Sequence, residues 1–540
     1  MTVRTVDAVV IGAGPNGLAA TATLAEAGWD VVLLEQQPEP GGAVRSAELF
    51  PGFRTDLFSA FYPLAAVSPA IRHLDLEGVG LRWSQAPAAV GHPRHPHDDD
   101  APLIHRDPAD TAADLGRRQP GDGQAWLRLF EQWKDVKEPF LDTLFSPFPP
   151  VRGPRRLLSQ LGTAEALRLL RFLMLPARRM THELFDGESA RVLLLGNAMH
   201  ADTPVDAPGS GVMGFLLTML AQDDGYVVPV GGAGALSAAM AERARRNGAE
   251  IRCGEEVTSI EATGGVATEV RTAGGDRYLV RRAVLADVSA PALYGRLLDS
   301  SAVPAGVRAD LEKFEWDTPV VKVNYALDRK IPWRSRSLES AGTVHLGADD
   351  NGLVRWMADL TTGVIPTHPF LLFGQMTTSD PSRSPEGTES AWAYTHLPRG
   401  ITDDESAELL GHRVDAMLES HAPGFAERVV GRNVQRPSDL EASNANLHGG
   451  AVNGGTAQLY QQLVFRPTPG SSGPYTSIDR LYLASSATHP GGGVHGMCGY
   501  NAARAALADH GRWGLVRRKV RGRILDLVVT PDGKRSPHRR

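Results

Sequence analysis

The sequence has few cysteines, no long apolar segment and no excess of positive charge, and each shortage excludes a class of protein. Its 540 residues contain two cysteines, Cys253 and Cys498, too few for a disulfide framework and too far apart for a CxxC redox pair or a cysteine zinc site. No apolar run reaches the roughly 18 residues that cross a bilayer. The formal net charge of −6 argues against a nucleic-acid-binding protein, so we expect no nucleic-acid partner.

Two basic regions and the N-terminus bear on localisation. Residues 516–540 form a basic C-terminal tail, which we interpret as a solvated tail, with contact to an anionic membrane as the alternative. Residues 166–179, ALRLLRFLMLPARR, predict an apolar helix with interspersed arginines, half buried in the protein or, alternatively, lying on a membrane. No signal peptide is recognisable at the N-terminus, so we expect a cytoplasmic protein, with peripheral membrane contact as the alternative.

The most informative part of the sequence is its beginning, where a strand, a glycine turn, a helix and a second strand follow one another. The apolar run Val6–Ile11 is typical of a buried parallel strand, and a second strand, Asp30–Leu34, ends in Glu35. The turn between them has the pattern GxGxxG and consists of Gly12, Ala13, Gly14, Pro15, Asn16 and Gly17. In this context the pattern predicts a Rossmann-type dinucleotide site, with the pyrophosphate at the helix N-terminus.

Three glycines and an acid have separate predicted tasks in this site. Gly12 permits the tight turn, Gly14 lets the backbone approach the pyrophosphate, and Gly17 lets the helix pack against the strand. Glu35 is placed to accept hydrogen bonds from ribose hydroxyls. Because its negative charge would repel a 2′-phosphate, the sequence favours FAD or NAD over NADP.

A second glycine pair decides between FAD and NAD. Shortly after Glu35, the predicted ribose-binding acid, the sequence has Gly41, Gly42 and Ala43. Arg45 follows two residues after Ala43. Glycines leave room for the backbone close to the second phosphate of a longer ligand, and an arginine can pair with the pyrophosphate charge. The sequence therefore predicts FAD as the cofactor.

Three motifs together resemble a known family. The pattern ExxxxxGGxxRS after GxGxxG resembles that of FAD-binding flavoproteins that include phytoene desaturases, carotenoid isomerases and flavin amine oxidases. Residues 480–503, RLYLASSATHPGGGVHGMCGYNAA, resemble the signature of phytoene-dehydrogenase-like oxidoreductases, and among these the subgroup around pyridine nucleotide-disulfide oxidoreductase domain-containing protein 2. The resemblance covers nearly the whole chain up to the basic tail.

The resemblance implies roles for residues near the C-terminus. It places His489 beside the flavin as a candidate catalytic residue, with bracing of the turn as the alternative, and Tyr500 as a weaker catalytic candidate. Ser486 stands where many relatives have an aspartate that binds the ribityl chain, and a hydroxyl can also hydrogen-bond there. The further cofactor-binding positions that the resemblance implies are Val257, Ser486, Gly493 and Val494.

Residues 91–100, GHPRHPHDDD, could also form a metal site, but their prolines and acids suit a surface hairpin loop and nothing distant completes a set of ligands, so we expect no metal.

A second glycine turn, at residues 231–234, has an alternative interpretation as an NAD(P)H site. It precedes a helix, and the spacing from Gly232 to Glu255 equals that from the first glycine to the acid in the first motif. Against this, Pro229 lies in the preceding strand, where a central strand tolerates proline poorly, and Ser237 replaces the third glycine. We therefore favour a structural turn.

The predicted fold class is α/β, with a Rossmann-type FAD-binding domain of the glutathione-reductase-like or amine-oxidase-like kind and an interleaved α+β substrate domain. The FAD-binding domain is expected to be discontinuous, and the insertions to form the substrate domain. The expected FAD-binding segments are residues 1–75, 225–310 and 475–515, and the expected substrate-domain segments are residues 76–224 and 311–474.

The expected function is an FAD-dependent oxidoreductase that oxidises a hydrophobic small molecule. Desaturation by hydride transfer to flavin is the leading version, with oxygen or a quinone as the electron acceptor. One alternative is a redox-neutral isomerase that uses reduced flavin. The other is a flavin-containing regulatory or interaction protein with little turnover. The sequence does not indicate an oligomeric state.

Overall fold

The computed structural model describes residues 2–147, 149–471, 473–512 and 514. The predicted basic tail, residues 516–540, lies outside them. The strands are β1 Val3–Ile11, β2 Val31–Glu35, β3 Ser46–Phe50, β4 Phe53–Asp56, β5 Trp83–Ser84, β6 Ala88–Gly91, β7 Leu103–His105, β8 Val228–Pro229, β9 Glu250–Cys253, β10 Val257–Thr263, β11 Val266–Thr272, β12 Arg277–Ala286, β13 Val320–Leu327, β14 Ala341–Leu346, β15 Leu371–Gln375, β16 Glu389–His396, β17 Val429–Gln435 and β18 Leu481–Leu483.

The α-helices occur throughout the described part of the chain. They are α1 Pro15–Glu26, α2 Pro63–Val67, α3 Pro69–His73, α4 Pro108–Arg118, α5 Asp122–Phe145, α6 Arg152–Met174, α7 Ala177–Leu184, α8 Glu188–Ala198, α9 Ser210–Asp223, α10 Ala233–Arg246, α11 Ala290–Ala292, α12 Ala305–Leu311, α13 Asp350–Thr361, α14 Met376–Ser379, α15 Asp404–His421, α16 Pro437–Ser443 and α17 Met497–Asp509.

The first sheet has seven strands, in the order β10-β11-β12-β1-β2-β9, with β18 also pairing with β12. The strands β9, β2, β1, β12 and β18 run parallel, whereas β10 and β11 are antiparallel to their neighbours. Strand β1 is buried on both faces from Val6 onwards, which accounts for its continuous apolar sequence. Helices α1, α10 and α17 pack together on one face of this sheet.

The second sheet, also of seven strands, has the order β17-β13-β16-β15-β14-β6-β7. Its pairings are antiparallel except for the parallel pair β14–β6. Helices α5, α6, α8 and α9 pack around a separate apolar core that contains Trp126, Trp133 and Phe215. Residues 3–35, 250–286 and 481–483 thus share the first sheet, and the exact domain boundaries stay a prediction.

One predicted helix differs from the prediction. The helix predicted over 166–179 is broken, because α6 ends at Met174 and Pro176 precedes α7. Within residues 166–179, Leu169 is buried in the apolar core whereas Leu167 and Leu170 are exposed, which agrees with the half-buried interpretation. Among the described residues, no helix combines the length and the apolar character that crossing a membrane requires.

Candidate active site

Four parallel strands of the first sheet end side by side, and the segments that follow them form the site. Ile11 of β1 pairs with Leu34 of β2 and with Ala286 of β12, which in turn pairs with Leu483 of β18. Because ligands of α/β proteins bind beyond the carboxyl ends of parallel strands, the residues after these ends are the natural binding residues. They include Gly12, Glu35, Asp287 and Ser486, and a cavity of about 320 Å³ lies between them.

Most of the residues predicted from the sequence line this cavity, together with residues that were not predicted. The predicted ones are Gly12, Gly14, Pro15, Asn16, Glu35, Gly42, Ala43, Ser486, Gly493 and Val494. The others include Asp287, Lys322, Phe58, Phe61, Tyr394, Asn444, Asn446 and Asn453. Val257 lines a smaller neighbouring cavity of about 70 Å³, which shares Gly12, Glu35 and Asp287 with the first. The sequence motifs therefore converge on one region.

The glycines of the first turn are required by the protein's own packing. A Cβ atom on Gly17 would lie 2.0 Å from the Gly12 carbonyl oxygen, and one on Gly14 would lie 2.8 Å from Asp287 Oδ2. Gly12 has a positive φ of 94°. The residue that precedes α1, Gly14, has no side chain that could cap the helix, whose first residue is Pro15. The turn thus places the helix N-terminus at the cavity, which is a favourable position for a phosphate group.

Two carboxylates border the dinucleotide turn. Glu35 is buried, and its Oε2 and Oε1 accept hydrogen bonds from the backbone N–H groups of Ala13 (2.7 Å) and Gln37 (2.9 Å). Asp287 is also buried, and its Oδ2 accepts from the Gly17 N–H at 2.8 Å. Burial raises the pKa of Asp287 to about 7, with the hydrogen bond from Gly17 opposing this and the charge of Glu35 adding to it.

The second glycine pair supports the first turn from the side. The Gly41 N–H donates to the Ala13 carbonyl at 2.8 Å, and a Cβ atom on Gly42 would lie 2.9 Å from Gly14 Cα. The Arg45 guanidinium donates to the carbonyl oxygens of Gly42 (3.1 Å) and Ser443 (2.9 Å) and lies 5.2 Å from the Phe58 ring centre. Gly41 and Arg45 therefore brace the turn, and the contact of Arg45 with a pyrophosphate stays a prediction.

Neither candidate catalytic residue is among those that line the two cavities of the described structure. His489 is buried and precedes the glycine turn at 491–493. Burial lowers the pKa of its imidazole to about 4, and a backbone hydrogen bond with Leu144 opposes this shift. Tyr500 lies on α17 with its ring 5.4 Å from that of His73. The alternative role of His489, bracing the turn, fits this position, and the catalytic role of both residues stays a prediction.

The lining of the cavity also includes several apolar or aromatic side chains and one lysine. The apolar or aromatic ones include Phe58, Phe61, Val320 and Tyr394. Lys322, on β13, is buried, and its Nζ donates to the backbone carbonyl oxygens of Asp56 and Phe58. Burial lowers the pKa of Lys322 to about 7, the charge of Asp56 raises it, and that of Arg383 lowers it.

Residues 452–456 close the cavity on the side of the C-terminal motif. Arg466 is buried, and its guanidinium donates to the carbonyl oxygens of Ser486 (2.8 Å), Asn453 (2.8 Å) and Thr456 (3.0 Å). The Asp317 carboxylate accepts from the N–H groups of Val452 (2.7 Å) and Asn453 (3.0 Å). These contacts hold Asn453 and Gly454 against Ser486, so two distant segments of the chain form one wall.

The second glycine turn, at 231–234, has its helix N-terminus occupied by the protein itself. The Ala233 N–H donates to Asp56 Oδ1 (2.8 Å) and the Gly234 N–H to Ser46 Oγ (3.0 Å). The strand before it, β8, pairs with β5 in a separate two-stranded sheet instead of joining the first sheet. With its donors satisfied and no parallel strand before it, this turn lacks the features of a dinucleotide site.

Asp287 and Lys322 were missed by the sequence reasoning. Asp287 carried a usable signal, because it directly follows the apolar run of β12, at the carboxyl end of a parallel strand. Lys322 carried none, because a lysine inside an apolar strand does not reveal which cavity it faces. Asn444 and Asn446 reach the cavity from a loop about 400 residues away from the first turn, and only the tertiary structure brings them there.

The residues present fit a bound FAD. The buried Oδ1 atom of Asn16 faces no hydrogen-bond partner within the described residues, although a buried polar atom normally has one. Gly14 and Gly42 meet with their Cα atoms close together, so that no side chain obstructs the cavity there. Phe61 and Tyr394 line the same cavity as these glycines.

Comparisons with known proteins agree with this geometry. Residues 16–507 match the family described as flavin containing amine oxidoreductase. The chain is 28% identical over 562 residues to pyridine nucleotide-disulfide oxidoreductase domain-containing protein 2 of Rattus norvegicus, covering 93% of each. It is 26% identical over 501 residues to a zeta-carotene-forming phytoene desaturase of Myxococcus xanthus, covering 90% of each. The resemblance found in the sequence is confirmed.

The fold has close counterparts among solved structures. A structure of putrescine oxidase bound to putrescine aligns with a TM-score of 0.59 at 16% identity, covering 94% of this chain and 100% of that chain. At this identity the likeness concerns the fold alone, and it confirms the predicted α/β class with a Rossmann-type FAD-binding part. From the family match over most of its length, we conclude that the chain belongs to the flavin-containing amine oxidoreductase family and is a flavin-dependent oxidoreductase with FAD as its cofactor.

Proposed function

We propose that this oxidoreductase oxidises, by desaturation, a neutral hydrophobic small molecule bound beside Phe61 and Tyr394 in the cavity. Flavin supplies a hydride acceptor when bound, and oxygen or a quinone would take the electrons afterwards. The observation that carries the proposal is the distribution of charge along the cavity. Its lining carboxylates, Glu35 and Asp287, both lie at the dinucleotide turn, and its other charged lining residue is Lys322.

This charge distribution disfavours an amine substrate. A protonated amine brought into an apolar cavity needs an anionic partner, because an unpaired buried charge is costly. Apart from the two carboxylates at the dinucleotide turn, the only charged side chain lining the described cavity is Lys322, which would repel a cation when protonated. A neutral alkene or alcohol needs no such partner, and burial of its apolar surface favours binding by roughly 25 cal/mol per Å².

Lys322 is the residue best placed to accept the proton that the substrate loses. Its pKa of about 7 lets a large fraction of the amine be neutral near neutral pH, which a proton acceptor requires. The two backbone carbonyls that bind Nζ hold the amine at one position in the wall. The walls of Phe58, Phe61 and Val320 exclude water from the same region.

The relatives support this class of substrate without defining the molecule. The phytoene desaturase named above acts, by its name, on a hydrocarbon, and this chain matches it over 90% of its length. The putrescine oxidase shares the fold at an identity too low to transfer its substrate. The shape of the cavity walls comes from residues outside the family motifs, so the substrate has to be identified by experiment.

Anaerobic mixing with a panel of substrates tests the proposal. The panel contains a cyclic terpene and a linear polyene as neutral hydrocarbons, a terpene alcohol, and a diamine as the cationic counterpart. We expect at least one neutral compound to bleach the flavin and the diamine to leave it oxidised. Bleaching by the diamine alone would refute the proposal. A rearranged product without net bleaching would favour the isomerase alternative, and no response to any neutral compound would favour the regulatory one.

A further inference from the structure

Helix α6 exposes large apolar side chains to solvent. Leu167, Leu170 and Met174 follow one another at intervals of three and four residues, so they lie on one face of the helix. Between 54% and 61% of each of these residues is exposed. The apolar stripe of a surface helix normally faces the core of the protein. In α6 it is Leu169, on another side of the helix, that is buried in the core. The exposed stripe is therefore not explained by folding of this chain.

The same segment is strongly basic. Residues 151–179 contain seven arginines and one acid, Glu165, in a chain whose net charge is −6. Arg168 pairs with Glu165 and Arg171 with Glu183 on the exposed surface. Exposed ion pairs contribute little stability, so these arginines can exchange their partners for other anions at small cost.

A second exposed apolar segment adjoins the end of α6. Leu459, Tyr460, Leu463 and Phe465 are each between 45% and 55% exposed. Gly209 links the two segments, because its N–H donates to the Met174 carbonyl at 3.1 Å and a Cβ atom on it would lie 2.9 Å from Leu459 Cδ1. We call the combined surface the α6 face; its apolar members are Leu167, Leu170, Met174, Leu459, Tyr460, Leu463 and Phe465.

We propose that the α6 face docks on a membrane surface that contains anionic phospholipids, with the part of α6 after the non-helical Gly162 lying in the plane of the interface. Interfacial helices combine an apolar stripe that enters the headgroup region with flanking arginines that bind lipid phosphates. A second copy of this chain is a poorer occupant. A two-fold interface through the α6 face would bring the exposed Arg168 and Arg171 of one copy towards the same two residues of the other.

The α6 face is joined to the cavity through consecutive residues. Phe465, on the face, is followed by Arg466, whose guanidinium holds the carbonyl oxygens of Asn453 and Gly454. Asn453 and Gly454 line the cavity. Docking on lipid would thus bring a reservoir of hydrophobic compounds next to the cavity wall. The docking itself does not depend on the proposed function, and its test requires no substrate.

Co-sedimentation of the holoprotein with vesicles tests the proposal. One set of vesicles is pure phosphatidylcholine, and the other contains phosphatidylglycerol in addition. We expect the protein to sediment with the anionic vesicles at low salt and to bind the zwitterionic vesicles weakly. Because salt screens the attraction of exposed charges, added salt should release part of the bound protein.

Two variants locate the contact. Leu167→Ser combined with Leu170→Ser and Met174→Ser removes the stripe, and Arg168→Gln combined with Arg171→Gln removes two exposed charges from the same part of the helix. Each should lower binding to anionic vesicles roughly tenfold or more. The control is Val364→Ser combined with Leu409→Ser and Val430→Ser, which changes exposed apolar residues elsewhere and should bind as the wild type does. Flavin content and melting temperature show that each variant is folded.

Three results would overturn the proposal. The first is wild-type protein that remains in the supernatant with anionic vesicles. The second is a folded stripe variant and a folded charge variant that both sediment like the wild type, which would assign binding to another part of the chain, such as residues 516–540. The third is a wild type that is dimeric by light scattering and becomes monomeric in the stripe variant without any vesicle binding, which would make the α6 face a contact between copies.

Discussion

Lys322 combines burial, a place in the cavity wall and a pKa lowered to about 7. Below this pH the amine is protonated and cannot accept a proton, and above it the neutral form predominates. We therefore expect the rate of flavin reduction by substrate to rise with pH through about 7 and then to level off. Lys322→Met should slow reduction by roughly 10²–10⁴-fold and remove this rise. Stopped-flow absorbance at a series of pH values measures both.

The control for this prediction is Lys330→Met, which removes an exposed lysine three residues after the end of β13, the strand that carries Lys322. It should keep the wild-type rate and pH profile. If Lys322→Met keeps the pH-dependent rise, another group is the proton acceptor.

The raised pKa of Asp287 predicts that cofactor binding depends on pH. Its pKa in the folded protein is raised to about 7, so the carboxyl is protonated at lower pH and ionises as the pH rises through 7. An ionised carboxylate beside the glycine turn would repel the pyrophosphate of FAD. We expect FAD to bind more weakly above this pH than below it. Asp287→Asn should flatten the dependence, whereas Asp328→Asn, at an exposed site, should not.

Fluorescence of released flavin across the pH range measures this effect. An Asp287→Asn variant with the same pH dependence as the wild type would contradict the prediction.

Gly14 is the glycine whose replacement is expected to affect FAD most directly. A Cβ atom there would lie 2.8 Å from Asp287 Oδ2, so Gly14→Ala has to displace Asp287 from the cavity edge or shift the turn. Either shift disturbs the N-terminus of α1. We expect Gly14→Ala to be purified with little flavin. Gly295→Ala is the matched control, since nothing lies within 4 Å of a Cβ atom at that position. Flavin absorbance per protein measures occupancy, and a fully loaded Gly14→Ala protein would contradict the prediction.

At the scale of secondary-structure elements, two helices that follow glycine turns differ in what lies at their N-termini. The N-terminus of α1 borders the cavity, where Asp287 accepts only from the Gly17 N–H, whereas Asp56 and Ser46 bind the first N–H groups of α10. Similar sequence patterns therefore give one turn that borders the cavity and one turn whose first N–H groups are bound by side chains of the protein.

The closed turn at α10 predicts the response to nicotinamide cofactors. Since α10 offers no free N–H donors to a pyrophosphate, neither NADH nor NADPH should reduce the flavin at a useful rate under anaerobic conditions. Absorbance of the flavin after mixing with either nucleotide measures this. Rapid bleaching by NADH would show that a nicotinamide site exists elsewhere in the chain.

At the scale of the whole molecule, the mode of flavin attachment can be predicted. Cys498 is buried, its Sγ lies 3.5 Å from the Thr488 carbonyl oxygen, and burial raises its pKa to about 11. A thiol in this state is a poor nucleophile, and Cys498 is not among the residues that line the described cavities. We expect denaturation to release all of the flavin as FAD, identified by chromatography. Yellow colour that remains with the denatured polypeptide would indicate a covalent bond.

The sequence by itself determined the fold class, the family and the dinucleotide turn. These follow from local patterns, because a strand, a glycine turn, a helix and an acid lie within about thirty residues, and each pattern has one main structural explanation. The same locality explains why Gly12, Gly14, Asn16 and Glu35 were found at the cavity.

Only the tertiary structure decided which distant residues complete the site. Asp287, Lys322 and Asn453 reach the cavity from separate strands and loops, and sequence spacing carries no information about such contacts. It also decided that α6 leaves its apolar stripe exposed, because a helical pattern predicts an apolar face but does not tell whether another element covers it. Periodicity is a local property of the chain, whereas burial depends on all the elements that pack around it.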